Sequence, residues 1–126
     1  MAAADPVVLI RVDQRSRESI PTVGMTREEA VASGRLWAGI VRTAPRASSA
    51  WHHHAACETA IYVVSGRVRM ESGPGGRIVS EARAGDFFHV PSGSIHRETN
   101  PGESEAVLVV VRAGSGPAVV NVEGPA

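Results

Sequence analysis

The sequence predicts an all-β fold of the sandwich or closed-barrel type. Its 126 residues form many short runs rich in β-branched residues, which alternate with groups of turn residues, and that spacing is typical of such folds. Only one stretch has the character of a helix. At this length a single domain buries roughly two-thirds of its unfolded surface, so one core suffices without staples. The single cysteine, Cys57, excludes a disulfide framework.

Residues 1–34 are predicted to form an N-terminal strand and a short helix. The apolar run 7–12 is the first strand. The segment 25–33 has a helix start signal at Thr26, acidic residues in the first turn, and an end before Gly34, so it could form a short helix. The first strand has no obvious partner in the chain, and an unpaired edge needs covering. We therefore expect a homodimer in which this strand pairs with a second subunit.

Eight further strands are expected at 36–42, 50–54, 59–64, 68–71, 78–83, 87–90, 95–99 and 106–112. Short groups of Gly, Pro, Ser and Asn separate them, and these residues favour tight turns. Residues 35–112 should therefore form the barrel. The tail, 113–126, is either a loose end or an added edge strand.

Charge and composition exclude several functions. Thirteen basic and thirteen acidic residues cancel, so no cationic stripe is available for nucleic acid. Every basic residue is Arg, which removes Schiff-base and P-loop lysine chemistry. The start lacks the features of a signal peptide and no apolar run reaches the length of a membrane span. A cytoplasmic protein acting on a small molecule is expected, without a nucleic-acid or membrane partner.

Four of the five histidines lie in two groups, 52–54 and His96. On a strand, side chains alternate between faces, so His52 and His54 share one face, about 7 Å apart along the strand. Two imidazoles in that arrangement suit one metal ion. A solvated patch or tag remnant is the alternative, but the run lies in mid-chain and leads into a predicted strand. A metal site is favoured.

The segment 85–100 resembles the second conserved motif of the cupin superfamily. Gly85, Pro91, Gly93, His96 and Asn100 match its fixed residues at every defined offset. Five such matches at fixed spacing rarely coincide by chance.

A similar match to the first cupin motif lies upstream: His52-x-His54, three residues, Glu58, and a strand that ends at Gly66. The resemblance implies a jelly-roll barrel of six to eight strands that holds one divalent metal ion. It implies His52, His54, Glu58 and His96 as the ligands. Such a set suits Fe(II), Mn(II), Ni(II), Cu(II) or Zn(II), and Fe(II) is favoured.

The spacing after Glu58 departs from the motif, because seven residues rather than six separate it from Gly66. If Gly66 sets the register, Thr59 takes the ligand position and three histidines remain. If His54 sets it, Glu58 is the ligand and a β-bulge absorbs the extra residue. Glu58 is favoured because Thr is a poor ligand for these ions. Glu98 shares the face of His96 by alternation and is a candidate to support a ligand.

The resemblance does not fix the reaction, because cupins include dioxygenases, decarboxylases, lyases, isomerases and plain binders. The leading expectation is a metal-dependent, dioxygenase-like oxidoreductase that acts on a small organic substrate. The alternatives are a non-redox isomerase, cyclase or lyase, and a non-enzymatic binder of a metal or small ligand.

Overall fold

The computed structural model describes residues 5–18, 23–117 and 119–126. Residues 1–4, which belong to the start where no signal peptide is expected, lie outside these ranges. In chain order the strands are β1 (Ser16–Glu18), β2 (Met25–Ala32), β3 (Leu36–Thr43), β4 (His52–His53), β5 (Glu58–Ser65), β6 (Arg67–Ser72), β7 (Ile78–Arg83), β8 (Phe87–Val90), β9 (His96–Thr99), β10 (Ala106–Ala113) and β11 (Val120–Asn121). Single turns of 3-10 helix occur at Val12–Gln14 and Pro74–Gly76.

Two antiparallel sheets form the fold, which confirms the all-β prediction. The larger has the order β1-β2-β3-β10-β5-β8, and the smaller has the order β11-β4-β9-β6-β7. The described ranges contain no α-helix, and thus no helix long and apolar enough to cross a membrane. The eight strands predicted between residues 36 and 112 are all present, with small shifts at their ends.

The core lies between the inner faces of the two sheets. Along β10, Ala106, Leu108 and Val110 are buried in alternation, as the two-residue period of a strand requires. Ile61 and Val63 do the same on β5. The smaller sheet adds Val68 and Met70 from β6 and Ala82 from β7 to the same cluster. Apolar burial from both sides is what holds the sheets together.

The helix predicted at 25–33 is wrong, because this segment forms β2 and pairs along its length with β3. Met25, Arg27 and Glu29 lie opposite Thr43, Val41 and Gly39. The helical start and stop signals were local, and the segment was only weakly amphipathic. Cross-strand pairing with a long neighbouring strand outweighs such local preferences.

The strand predicted at 7–12 is also wrong. Residues 5–11 have no regular structure and Val12 opens a turn of 3-10 helix. The side chains are exposed, with Val7 at 99% and Val8 at 71% of their full accessible area. The first strand of the larger sheet is instead β1, which pairs with β2.

The C-terminal tail adds an edge strand to the smaller sheet. Val120 lies opposite His53 and Asn121 opposite His52 in β4. The backbone N–H of Val122 donates to the carbonyl of Trp51 at 3.0 Å. Of the two alternatives left open by the sequence, the edge strand is the one present, and it covers the strand that carries the histidines.

Candidate metal centre

Three histidines predicted to share a site come together between the sheets. His52 in β4 lies directly opposite His96 in β9, and opposed residues in an antiparallel pair project from the same face. His54 lies two residues beyond His52 and shares its face. The nitrogen atoms that the three offer as ligands all lie within 4.8 Å of one another, and all three residues are buried. His53, which alternation places on the opposite face, is only partly buried.

Backbone carbonyls orient two of the rings. Nδ1 of His52 lies 2.8 Å from the carbonyl oxygen of Ala50, and Nδ1 of His96 lies 2.9 Å from that of Ser94. A carbonyl oxygen only accepts, so each Nδ1 carries a proton and donates it, and in the neutral form of either ring the lone pair is on Nε2. Nε2 of His96 is buried without a hydrogen-bond partner. Metal-bound histidines show this pattern, since the second nitrogen is held by a carbonyl or carboxylate.

The protonation state of His96 also suits a ligand. The pKa of His96 is lowered to about 4, mainly by burial. The hydrogen bond to the Ser94 carbonyl acts to raise it, and the charges of His52 and His53 act to lower it. The imidazole is therefore neutral at neutral pH, and only a neutral imidazole binds a metal ion. The donor set present in the chain fits a divalent transition metal.

A backbone hydrogen bond joins the two loops that carry the histidines. The N–H of Gly93 donates to the carbonyl of Ala55 at 2.9 Å, so the turn before His96 is fixed to the turn after His54. Gly93 has a φ of 71°, a conformation that glycine adopts without steric cost. Gly93 of the second motif thus contributes to the spacing of the histidines rather than to their chemistry.

Asn100, the last residue of the second motif, has a structural role. Its side-chain amide donates to the carbonyls of Thr43 at 3.0 Å and Ser104 at 2.8 Å, and its oxygen accepts from the N–H of Gly102 at 2.9 Å. It is 1% exposed. A buried amide with these partners closes the turn after β9 and connects it to β3.

Glu58 lies outside the histidine cluster, which differs from the four-ligand expectation. Its side chain is exposed and Oε1 accepts a hydrogen bond from Nε2 of His89 at 2.5 Å. Thr59 faces inward instead and is 1% exposed, with its Oγ1 buried and without a hydrogen-bond partner. Strand alternation forces this choice, because Thr59 is in phase with the buried Ile61 and Val63.

A β-bulge does absorb one extra residue of β5, but at the far end of the strand. Leu108 of β10 lies opposite Val63, whereas Val107 lies opposite Ser65. The unpaired residue is therefore Val64, just before Gly66. A bulge in that position leaves the phase of the first half of β5 unchanged, so it does not turn Glu58 inward.

Glu98 lies inside the fold as the alternation predicted. It lies opposite Met70, a core residue, and two positions from His96. Burial raises the pKa of Glu98, while the charges of His52 and Arg27 act to lower it. Its carboxyl group therefore lies within electrostatic reach of both a histidine of the cluster and an arginine of the larger sheet.

The sequence interpretation missed a group of polar residues on the inner face of the larger sheet. Arg112 is 6% exposed and lies opposite Trp37 in β3 and Thr59 in β5. Its position two residues after the buried Val110 is a usable sequence signal, because residues two apart on a strand share a face and Arg112 therefore lies on the core face. Arg27 carried no such signal, because its segment was interpreted as a helix.

A model of the cupin domain matches residues 39–112, which is more than half of the chain and spans both histidine groups. The chain belongs to the cupin family. A search of curated proteins finds no match. The fold is therefore identified as a cupin double-stranded β-helix, in agreement with the resemblance of the two motifs.

Solved structures support the cupin assignment. The chain is 23% identical to an uncharacterized protein with a double-stranded β-helix domain from Klebsiella pneumoniae, with a TM-score of 0.74 over 94% of this chain and 99% of the other. It is 19% identical to the polyketide cyclase RemF from Streptomyces resistomycificus, with a TM-score of 0.78 over 93% and 86%. It is 25% identical to an oxalate oxidase, with a TM-score of 0.67, and the match covers 82% of this chain but only 57% of that enzyme.

Proposed function

We propose that this cupin is a cytoplasmic, metal-dependent enzyme of the oxygenase type that acts on a small organic substrate. The observation that carries the proposal is the buried group of three imidazoles, two of which donate Nδ1–H to a backbone carbonyl. Burying three polar rings together costs free energy unless a partner satisfies them. A metal ion is the partner that their chemistry fits.

His52, His54 and His96 would hold the ion, and Glu58 is not part of the proposed ligand set. An ion with open positions supplies Lewis acidity, a template for substrate oxygens and, if redox-active, electron transfer. The chain itself fixes the imidazole tautomers through the carbonyls of Ala50 and Ser94.

The oxygenase-type reaction rests on two supporting points. A site made of imidazole ligands suits Fe(II) and the other divalent metals of the first transition row. The likeness to an oxalate oxidase, at 25% identity over 82% of this chain, is a likeness to a cupin that performs redox chemistry.

A non-redox reaction is the second candidate, favoured by a specific observation. The likeness to the polyketide cyclase RemF spans nearly the whole of both chains, and three histidine ligands with an open position also suit catalytic Zn(II). A cyclase or isomerase would use the ion only to polarise a substrate oxygen.

Metal analysis on protein purified without added metal separates these candidates. Iron at about one ion per chain, with oxygen consumption on candidate substrates, is the result expected for the oxygenase. Zinc at the same ratio with turnover under anaerobic conditions would replace it with the cyclase. Absence of any transition metal, and no uptake on incubation with Fe(II) or Zn(II), would reject both enzymes and leave a binder of another kind.

We also propose that the protein is a homodimer that covers the exposed apolar segment around Val7, Val8 and Leu9. These side chains are 99%, 71% and 66% exposed, and contiguous exposed apolar residues mark interaction sites. Light scattering at micromolar concentration should give the dimer mass for the wild type and the monomer mass for Val8→Asp/Leu9→Asp. A monomeric wild type would contradict the proposal.

A further inference from the structure

Polar side chains form a continuous row on the inner face of the larger sheet, which faces the smaller sheet that carries His52 and His96. Arg112, Trp37 and Thr59 lie side by side on three adjacent strands, because Arg112 is opposite both of the others. Oγ1 of Thr59 is buried and has no hydrogen-bond partner. A buried hydroxyl without a partner costs free energy, which indicates that a ligand of this region completes its hydrogen bonding.

The indole of Trp37 is flanked by two guanidinium groups. The guanidinium carbon of Arg112 lies 4.4 Å from the centre of the ring, and that of Arg27 lies 5.5 Å from it. The indole N–H donates to Oε1 of Glu29 at 2.9 Å, which fixes the orientation of the ring. Stacking on an aromatic face holds a guanidinium in one plane and reduces the entropy lost when it binds a ligand.

Glu98 adds a carboxyl group to the same space from the smaller sheet. It lies two residues from His96 on β9 and opposite the core residue Met70, so it shares the inner face of β9 with that histidine. Arg27 and Trp37 are only partly buried although they lie on the inner face of the larger sheet. Solvent therefore reaches these two side chains, and a small molecule would reach them by the same route.

We infer that this region binds the carboxylate group of an organic acid, with Arg112 and Arg27 as its binding residues. The planar fork of a guanidinium matches a carboxylate with two parallel hydrogen bonds. The two arginines carry two positive charges and a divalent ion on the histidines would add two more, so positive charge exceeds that of the two inner carboxyl groups, Glu29 and Glu98, whether or not Glu98 is ionised. An anionic ligand neutralises that excess. The inference deepens the proposed function by naming its substrate class, and it rests on that function only for the contribution of the ion.

The test compares organic acids with their neutral amides. The chain has two tryptophans, so Trp51→Phe leaves Trp37 as the sole indole emitter. Glycolate, malonate and succinate, and the three corresponding amides, are titrated into the metal-free and the Zn(II)-loaded protein by calorimetry while Trp37 emission is recorded. At least one acid should bind about tenfold or more tighter than its amide and change the Trp37 emission, since a hydrogen bond to a charged group contributes about that factor.

Variants assign the effect to the arginines. Arg112→Met should weaken binding of the preferred acid about tenfold or more, and Arg112→Lys should restore part of it, because the charge returns without the fork. Arg42→Met is the matched control. Arg42 lies on the same strand as Trp37 but on its outer face, where its contacts are with Glu28 and Glu105, and its loss should leave the affinity unchanged.

The outcomes separate this inference from the proposed function. Equal affinity for acids and amides in the Trp51→Phe protein would overturn the inference whether or not the Arg112 variants fold. Binding that leaves Trp37 emission unchanged would overturn it too, since the acid would then bind elsewhere. A preference for acids in a chain that takes up no metal would sustain the inference and reject the metal enzyme. A metal-loaded chain without that preference would do the reverse.

Discussion

The two sides of the space between the sheets are built in different ways. His52 and His96 are carried by very short strands, β4 of two residues and β9 of four, where backbone carbonyls hold their rings, and His54 lies in the loop directly after β4. Arg112 and Trp37 are carried by strands of eight residues, and sheet register alone places them side by side. The position of the three histidines is therefore sensitive to single hydrogen bonds in the loops, whereas the position of Arg112 and Trp37 is fixed by long ladders of strand pairing.

Removal of one histidine should produce the largest change. We expect His52→Ala and His96→Ala each to lose most of the bound metal, because one of three ligands accounts for about 3 kcal/mol or more of an affinity of about 10 kcal/mol. That loss corresponds to a weakening of about 100-fold or more. Metal content per chain, measured after dialysis at limiting metal, checks the prediction.

His53→Ala is the matched control for the histidine variants. His53 is the neighbour of both ligands but lies on the opposite face of β4, where its Nδ1 accepts the N–H of Ala55. Its variant should keep the metal content of the wild type. Full metal occupancy in the double variant His52→Ala/His96→Ala would show that the ion does not bind to these histidines.

Lowering the pH should reduce the free energy of unfolding through the histidine side and not through the arginine side. In the metal-free protein burial lowers the pKa of His96 from 6.5 to about 4, so the unfolded chain binds more protons than the folded chain between these values. The free energy of unfolding should therefore fall as the pH falls through this window, by about 3 kcal/mol in total. Arginines stay charged throughout and contribute nothing to the change.

Urea unfolding of the metal-free protein between pH 7 and pH 4 measures this effect. His96→Gln removes the titrating group, so its stability should depend less steeply on pH than that of the wild type. Parallel pH profiles for the two proteins would show that His96 does not titrate as its burial requires.

The sequence predicted the histidine side better than the arginine side, for a physical reason. His52, His54 and His96 are set by short-range features, namely strand alternation and the fixed spacing of turn residues. Those features are visible in a single stretch of chain. The predicted strands from 36 to 112 follow from the same local patterns.

The arginine side depends on which strands become neighbours, and local patterns do not contain that information. Arg27 reaches Trp37 only because β2 pairs with β3, whereas the local signals of that segment are helical. The strand predicted at 7–12 is absent for the converse reason: the segment is β-prone, but no strand in the described chain lies beside it. Strand propensity without a partner does not produce a strand.

Glu58 is the site residue for which two local rules disagreed. Spacing from His54 pointed to Glu58, whereas spacing from Gly66 pointed to Thr59. In the structure the phase of β5 is set by the burial of Ile61 and Val63, and the bulge near Val64 lies too late to alter it. Register was decided by apolar burial, a force that acts over the whole strand.

The smallest effect is therefore expected at Glu58. Because its carboxylate is exposed and bonded to His89, Glu58→Ala should reduce metal affinity less than tenfold, below the range of 10- to 100-fold that loss of a group supporting a ligand usually causes. Thr59→Val removes the buried hydroxyl but keeps the shape of the side chain, so it should also retain metal and serves as a control for disturbance of β5. Metal content after dialysis, measured beside His54→Ala, decides between the two ligand sets. If Glu58→Ala lost metal as fully as His54→Ala while Thr59→Val kept it, the carboxylate would have to swing inward when the ion binds, and the three-histidine centre would give way to one with four ligands.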